Sequence, residues 1–308
     1  MGIFCLTIDL DEIHCYHGIH GLDPPEGVGR TAVYRRALPR IARFLAERRI
    51  PATLFAVGRD LEAAPDAGEI VRDLAGQGSE VGNHTLGHRY DLTLIGPEEQ
   101  GREIDGGADA IERAVGLRPR GFRAPGYNVH LGLLDELEDR DYLYDSSVFP
   151  CPTYYLAKAG AIGLAGVRGR PSASVMGDPR VLLSSSEPYR VGRDGVWSRG
   201  DGLCELPISV ITGLRVPFIG TALTLLGRIG AAVLARSAAR MRFVNLELHG
   251  IDFVDAEGDG VAHLIEHQPD LKVPLTRKLE ILDRVVRVLL DGGMEPMTLA
   301  AASGRVFV

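Results

Sequence analysis

The chain has 308 residues, of which 45% are hydrophobic and 24% are charged, and its formal net charge is −7. This length and composition predict one domain over residues 1–308 with a single large core. The acidic balance argues against the basic surface that a nucleic-acid-binding protein needs, so no nucleic-acid partner is expected.

Short apolar runs alternate along the chain with longer segments of helical periodicity. Strands are predicted at about 3–9, 52–57, 80–82, 121–122, 142–144, 203–207 and 243–248, with a closing segment at 296–299. Helices are predicted at about 31–49, 68–77, 97–115, 131–137 and 275–290. This alternation is typical of βα units around a parallel sheet and predicts an α/β fold.

Two stretches depart from this rhythm. Residues 150–200 are rich in Gly, Pro, Ser and Arg, and we interpret them as an irregular insertion over the active-site face. Residues 216–235 are apolar, with Arg228 as their only charge. A buried helix is the favoured interpretation, because glycines and a central arginine disfavour a membrane-spanning one. The alternative is a helix that rests on a membrane surface and meets a lipid-linked substrate.

The N-terminus begins directly with an apolar strand pattern, without the basic, hydrophobic and cleavage regions of a secretory signal. We therefore expect a cytoplasmic protein, with peripheral contact to the inner membrane face under the second interpretation of residues 216–235. The four cysteines form no C-x-x-C pair and no disulfide framework is predicted.

Polar residues follow the predicted strands, where parallel strands converge at one face. Asp9 and Asp11 share a face of an extended segment, and paired carboxylates ionise together most easily beside a cation. His84 and His88 would share a face if their segment formed a helical turn, which suits capture of a divalent metal. Each pattern alone also fits solvated surface residues.

Two further strand ends carry polar groups. Arg123 precedes a Pro-Gly turn and could pair with an acid at the same face, although a solvated surface arginine explains it equally. His249 follows a late apolar strand and could serve as a general acid near neutral pH or be structural.

Taken together and in order, these segments resemble the motifs of the polysaccharide deacetylases, the NodB-homology family or carbohydrate esterase family 4. They read TIDLD, HTLGH, RAPGY, YDSS and LELHG. The resemblance extends from residue 3 to about 299 and implies a distorted (β/α) barrel of seven or eight units. It also implies a metal-dependent carbohydrate N-deacetylase that acts on an N-acylated or lipid-linked sugar.

One motif departs from the family pattern. Typical members carry adjacent aspartates, whereas this chain has Asp9-Leu10-Asp11. That spacing resembles a cytoplasmic branch of the family, and the segments CELPIS, RVPFIG and NLELHGID are similar to deacetylases of exopolysaccharide loci. The branch includes deformylases and cyclic-amide or ureide hydrolases, which remain alternatives. A non-catalytic sugar-binding relative is a further alternative, and the oligomeric state is left open.

The resemblance implies a metal site built from the carboxylate of Asp11 and the imidazoles of His84 and His88. Zinc is expected, with cobalt or nickel as alternatives, because two histidines and one carboxylate select weakly among these ions. A second histidine group, His14, His17 and His20, is interpreted as ordinary loop residues, and the alternative is that one of them is a substrate contact or an extra metal ligand.

The resemblance also implies the catalytic roles. Asp9 would act as the base that Arg123 orients, and His249 would act as the acid. The Tyr127 backbone N–H, in the turn fixed by Pro125, would stabilise the oxyanion. Asp145 would support His249.

Overall fold

The computed structural model of the chain describes residues 2–167 and 169–307. Its strands are β1 (Ile3–Asp9), β2 (Thr53–Ala56), β3 (Glu80–Asn83), β4 (Gly121–Phe122), β5 (Tyr144–Asp145), β6 (Tyr189–Gly192), β7 (Gly195–Glu205), β8 (Val210–Ile211), β9 (Val216–Pro217), β10 (Phe243–His249) and β11 (Glu295–Pro296). Its α-helices are α1 (Ile13–His20), α2 (Leu38–Arg48), α3 (Gly58–Ala63), α4 (Pro65–Gly76), α5 (Pro97–Val115), α6 (Leu131–Glu138), α7 (Pro152–Val167), α8 (Gly220–Ala238), α9 (Leu275–Asp291) and α10 (Leu299–Ser303).

The main sheet is almost wholly parallel. Its strands follow the order β10-β1-β2-β3-β4-β5-β7-β6, and β11 pairs with the first residues of β1. Among the described strands, only β6 and β7 pair antiparallel in this sheet. The sheet curls into an incomplete barrel. The carboxyl ends of the parallel strands therefore meet at one face, as the α/β prediction requires.

The predicted helices are present, but the first is shorter than expected. Residues 33–37 form a π-turn, and α2 begins only at Leu38. Pro39 has no N–H to donate to the carbonyl four residues back, so a regular α-helix cannot run through this point. By contrast, α5 occupies the whole predicted span, and Gly116 ends it in the left-handed conformation (φ 84°).

The segment 150–200 is more regular than predicted. It contains α7, the strand β6 and half of the long strand β7. None of the described residues of α7 is buried, and almost all of them are apolar or small. A helix without a buried stripe lacks the 3.6-residue polarity pattern by which helices are recognised in sequence. The expectation of an irregular insertion is therefore wrong for this helix.

The apolar segment 216–235 is only partly buried. It forms β9 and most of α8, which packs against α9 and changes direction at Gly227 (φ 65°). Leu223, Ala231 and Ala235 are buried, but Leu225 and Ile229 are 54% and 83% exposed. The favoured interpretation as a buried helix therefore holds for one side of α8 only. Among the described residues, no helix is both long and apolar enough to cross a membrane.

A close approach of α5 to the end of β3 positions the segment that follows β3. A Cβ added at Gly107 would meet Oδ1 of Asn83 and would lie 2.7 Å from the carbonyl carbon of Thr85. Alanine favours a helix over glycine by about 1 kcal/mol. Overpacking against backbone costs typically 1–3 kcal/mol.

We therefore expect Gly107→Ala to lower the free energy of unfolding by up to about 2 kcal/mol, whereas an unobstructed alanine would raise it. Gly76→Ala is the matched control, because a Cβ at Gly76 meets nothing within 4 Å. Urea denaturation of both variants measures the difference. A Gly107→Ala protein as stable as the Gly76→Ala protein would contradict the close approach.

Candidate metal centre and active site

The register of two neighbouring strands brings an aspartate and a histidine side by side. In the parallel pair β1–β10, Asp9 lies opposite His249 and Thr7 lies opposite Glu247. Alternate residues of a strand point to the same face, so all four side chains face the barrel interior. Asp11 lies two residues beyond the end of β1 and is buried.

Asp11, His84 and His88 form a compact, buried group of metal-ligand type. Oδ1 of Asp11 lies 3.2 Å from Nε2 of His84, and Oδ2 lies 3.2 Å from Nε2 of His88. Nδ1 of His84 donates to the backbone carbonyl of Arg123 at 2.7 Å, which turns the Nε2 lone pair towards Asp11. A metal-binding imidazole is commonly fixed by such a bond through its other nitrogen.

The donor atoms of this group fit a divalent cation. Oδ1 of Asp11 and both ring nitrogens of His88 are buried without a hydrogen-bond partner among the described residues. Burial alone would raise the pKa of Asp11, but His88 and His84 outweigh it and hold the pKa well below its ordinary range. An ionised carboxylate with two imidazoles is a usual zinc donor set, and bound zinc would satisfy Oδ1 of Asp11 and one ring nitrogen of His88.

The segment between the two histidines is a loop, so the expected helical turn is absent. Thr85 and His88 have positive φ angles of 68° and 53°. Hydrogen bonds brace this conformation: the His88 N–H donates to Oγ1 of Thr85 at 3.0 Å, and the Gly87 N–H donates to the Glu103 carboxylate at 2.8 Å. This loop, rather than a helical turn, brings both imidazoles within 3.2 Å of the Asp11 carboxylate.

Asp9 and Arg123 form a fully buried ion pair. Nη1 of Arg123 lies 2.6 Å from Oδ1 of Asp9, while Nε and Nη2 of Arg123 donate to the backbone carbonyl and Oγ of Ser146. The guanidinium also lies over the Phe55 ring, 4.3 Å from its centre. Oδ2 of Asp9 has no hydrogen-bond partner among the described residues and lies 3.9 Å from Nε2 of His84. This oxygen is therefore free to accept a proton beside the metal-ligand group.

The turn after Arg123 differs from the expected oxyanion site. Pro125 is buried, and Gly126 and Tyr127 both have positive φ angles, of 63° and 61°. The backbone N–H of Tyr127 donates to the carbonyl of Ala124 at 3.1 Å. Because this hydrogen bond lies within the turn, the N–H does not point freely into the cavity as an oxyanion donor would. The Tyr127 hydroxyl instead points at the opposite strand, 2.5 Å from Oε1 of Glu247 and 3.3 Å from Nε2 of His249.

His249 is supported by Glu247 rather than by Asp145. Nδ1 of His249 lies 3.1 Å from Oε1 of Glu247, whose side chain is fully buried. Asp145 instead binds the backbone N–H and hydroxyl of Ser147 and lies beside Glu205. The expected support by Asp145 is therefore wrong. Strand alternation would have identified Glu247, which shares a face with His249 two residues later.

Acidic neighbours favour the protonated form of His249. Burial alone would lower the pKa of His249, but the carboxylates of Glu247, Asp11 and Asp9 outweigh it and raise the pKa to about 9. The imidazole thus holds a proton at neutral pH, 3.8 Å from the nearer oxygen of Asp11. A charged imidazole in this position can donate a proton to a group bound between it and Asp11.

One cavity of about 320 Å³ contains these groups. Asp9, Asp11, His84 and His249 lie at its base, and Tyr16, Tyr90, Tyr154, Ala157, Ala161 and Ile162 form much of its wall. The last four of these wall residues belong to α7, so the segment 150–200 does contribute to the active-site face. The ammonium group of Lys158 donates to the Gly126 carbonyl at 2.8 Å, and burial lowers the pKa of Lys158 to about 8.

His14, His17 and His20 lie on helix α1 rather than in a loop. His14 pairs with Asp60 at 2.8 Å. Nε2 of His17 lies 2.9 Å from Nε2 of His263, and His20 lies beside His267 and lines the cavity. None of the three joins the group around Asp11.

Comparison with known proteins points to one family. Residues 30–143 match the family model described as polysaccharide deacetylase. A peptidoglycan deacetylase-like protein of Gibberella zeae is 32% identical over 132 residues, which are 42% of this chain and 36% of that protein. A chitooligosaccharide deacetylase of Sinorhizobium fredii is 33% identical over 111 residues, which are 33% of this chain and 50% of that protein. The chain thus spans half or less of these curated relatives.

Solved structures share the fold. A polysaccharide deacetylase candidate from Mycobacterium smegmatis superimposes with a TM-score of 0.61 at 18% identity, covering 99% of this chain and 90% of that one. A CE4-family pseudoenzyme from Bacillus anthracis superimposes with a TM-score of 0.50 at 14% identity, covering 98% and 65%. The expected fold class, a distorted α/β barrel of the NodB-homology type, is confirmed.

Proposed function

We propose that this chain, whose place in the polysaccharide deacetylase family is supported by the family model and the curated relatives, is a metal-dependent hydrolase that removes an N-acyl group from a sugar. The observation that carries the proposal is that three sets of side chains each contribute a residue to the lining of one cavity. These are the ligand set around Asp11, the Asp9–Arg123 pair and the Glu247–His249 pair.

Asp11, His84 and His88 would hold the ion, zinc or alternatively cobalt or nickel, which would lower the pKa of a bound water and polarise the acyl carbonyl. Asp9 takes the proton from the attacking water through its free Oδ2. Arg123 keeps Asp9 in place through the buried ion pair.

His249 donates a proton to the departing amine. An amine anion is a very poor leaving group, so C–N cleavage needs an acid in addition to the base Asp9. Glu247 holds the imidazole through Nδ1 and leaves Nε2 turned towards the cavity. The Tyr127 hydroxyl, 3.3 Å from Nε2, is the nearby polar group that a substrate oxygen would meet.

The substrate that we favour is an N-acetylated sugar, free or carried on a lipid. The cavity of about 320 Å³ is at the small end of the range for small-molecule pockets, and much of its wall is apolar, which suits one sugar unit with an apolar neighbour. The Asp9-Leu10-Asp11 spacing keeps the D-x-D branch and its deformylase or ureide-hydrolase activities as the second candidate. A non-catalytic role is disfavoured, because the base, the acid and two of the three metal ligands line one cavity, and the third ligand, His88, lies against Asp11. The expected cytoplasmic location stays a prediction.

Acyl release from a panel of substrates tests the proposal. The panel contains N-acetylated and N-formylated sugars, nucleotide sugars, lipid-linked sugars and small ureides. We expect acetate release from a sugar substrate, loss of at least about a thousandfold in rate after chelation, and recovery on adding zinc. Formate or ureide cleavage would move the assignment to the second candidate. If protein that contains stoichiometric metal releases no acyl group from any substrate of the panel, the proposed hydrolase function is contradicted.

A further inference from the structure

We propose that exposed apolar side chains beside the cavity form a docking surface for an anionic lipid bilayer. This surface, called the apolar rim, consists of Leu156, Leu164 and Val167 of α7, Leu214 of the β8–β9 turn, and Leu225 and Ile229 of α8. These side chains are between 50% and 88% exposed. The inference goes beyond hydrolysis, and its test needs no catalysis.

The rim adjoins the mouth of the cavity on two sides. One side of α7 lines the cavity through Ala157 and Ala161, while Leu156 and Leu164 on the same helix are exposed. At the start of α8, Ile219 and Thr221 line the same cavity. A lipid bilayer bound to the rim would therefore lie next to the entrance of the active site.

The β8–β9 turn belongs to the same surface. Sγ of Cys151, one residue before α7, lies 3.4 Å from the carbonyl oxygen of Arg215. This contact places Leu214, the residue before Arg215, beside the start of α7. The rim thus combines elements distant in sequence, whereas scattered single exposed apolar residues would need no explanation.

Charge identifies the occupant as anionic. Residues 146–177 and 206–246, which carry the rim, contain no Asp or Glu, in a chain of net charge −7. Lys158 and Arg215 within these ranges donate to backbone carbonyls, so the charges that a partner can meet are those of exposed arginines. Arg170 and Arg236 are exposed, and Arg228 lies 3.8 Å from Glu280 of α9. Basic residues that flank an apolar face are attracted by anionic lipid headgroups. Because none of the described helices can cross a membrane, the rim would lie on the bilayer surface.

Vesicle flotation tests the docking surface. The full chain is mixed with vesicles of phosphatidylcholine alone or with added phosphatidylglycerol. We expect binding to the phosphatidylglycerol vesicles only, weakened by added salt because exposed charges are screened. The double variant Leu225→Glu/Ile229→Glu should bind roughly tenfold less or weaker still. Leu117→Glu is the matched control, because Leu117 is 67% exposed and lies between α5 and the amino end of β4, a central strand of the sheet, outside the rim.

The outcomes separate docking from catalysis. Neither Leu225 nor Ile229 lines the cavity, so the double variant should hydrolyse a water-soluble N-acetylated sugar at the wild-type rate. Absence of wild-type binding to phosphatidylglycerol vesicles would overturn the docking surface, as would equal binding to both vesicle types or an equal loss in Leu117→Glu. A wild-type dimer in light scattering that the double variant abolishes would assign the rim to a second copy and would also overturn it.

Discussion

His88→Ala is expected to lose the bound metal and at least about a thousandfold in acyl-release rate, because one of only two imidazoles in the ligand group is removed. Asp9→Asn should instead retain the metal and lose about a hundredfold to ten-thousandfold in rate, as for loss of a general base. Elemental analysis of the purified proteins, beside single-turnover rates, distinguishes the two roles.

His14→Ala is the control for this pair. His14 belongs to another histidine-containing group, with Cys15 and Asp60, and lies outside the cavity lining. It should keep both metal and rate. Asp9→Asn leaves Arg123 buried without a charged partner, which costs several kcal/mol, so thermal unfolding must accompany the rate measurement. Stoichiometric metal in His88→Ala would refute the ligand assignment.

Glu247→Gln is expected to lower kcat by roughly tenfold to a hundredfold and to move the alkaline limb of its pH profile to lower pH. The carboxylate of Glu247 stabilises the imidazolium and contributes to a His249 pKa of about 9. Without it the pKa falls, so the protonated acid is lost at a lower pH. The measurement is kcat against pH on the zinc-loaded protein.

Glu205→Gln is the matched control for this change. Glu205 is also fully buried, but it contacts the backbone N–H of Val148 and lies beside Asp145 rather than His249. Its replacement should leave the alkaline limb where it is. If both variants move the limb equally, Glu247 has no specific effect on His249.

The strand-end residues were predictable because the topology of a parallel βα unit decides where they go. Asp9, Asp11, His84, Arg123 and His249 each follow or end an apolar strand, and the sheet brings those ends together. The distances between these side chains and the conformation of the loop between the two histidines were not predictable. They depend on hydrogen bonds from residues distant in sequence, such as Glu103.

The errors share a physical cause. Asp145 was expected to reach His249 on the basis of its motif, but it lies on β5 and is held by Ser147. Glu247 was overlooked because it lies inside an apolar strand rather than after it. The Tyr127 amide was expected to be free, but the left-handed turn commits it to Ala124. Each error concerns which of several nearby partners a polar group selects, and tertiary packing decides that.

Helix α7 forms part of the cavity wall without burying any of its described side chains. Its sequence is therefore largely released from the packing constraint that acts on β1 or β10, where a changed side chain would disturb the core. Substitutions on the exposed side of this helix can therefore change the shape of the entrance at little cost in folding free energy. Substrate preference can thus diverge between relatives while the residues that hold the metal and move protons stay in place.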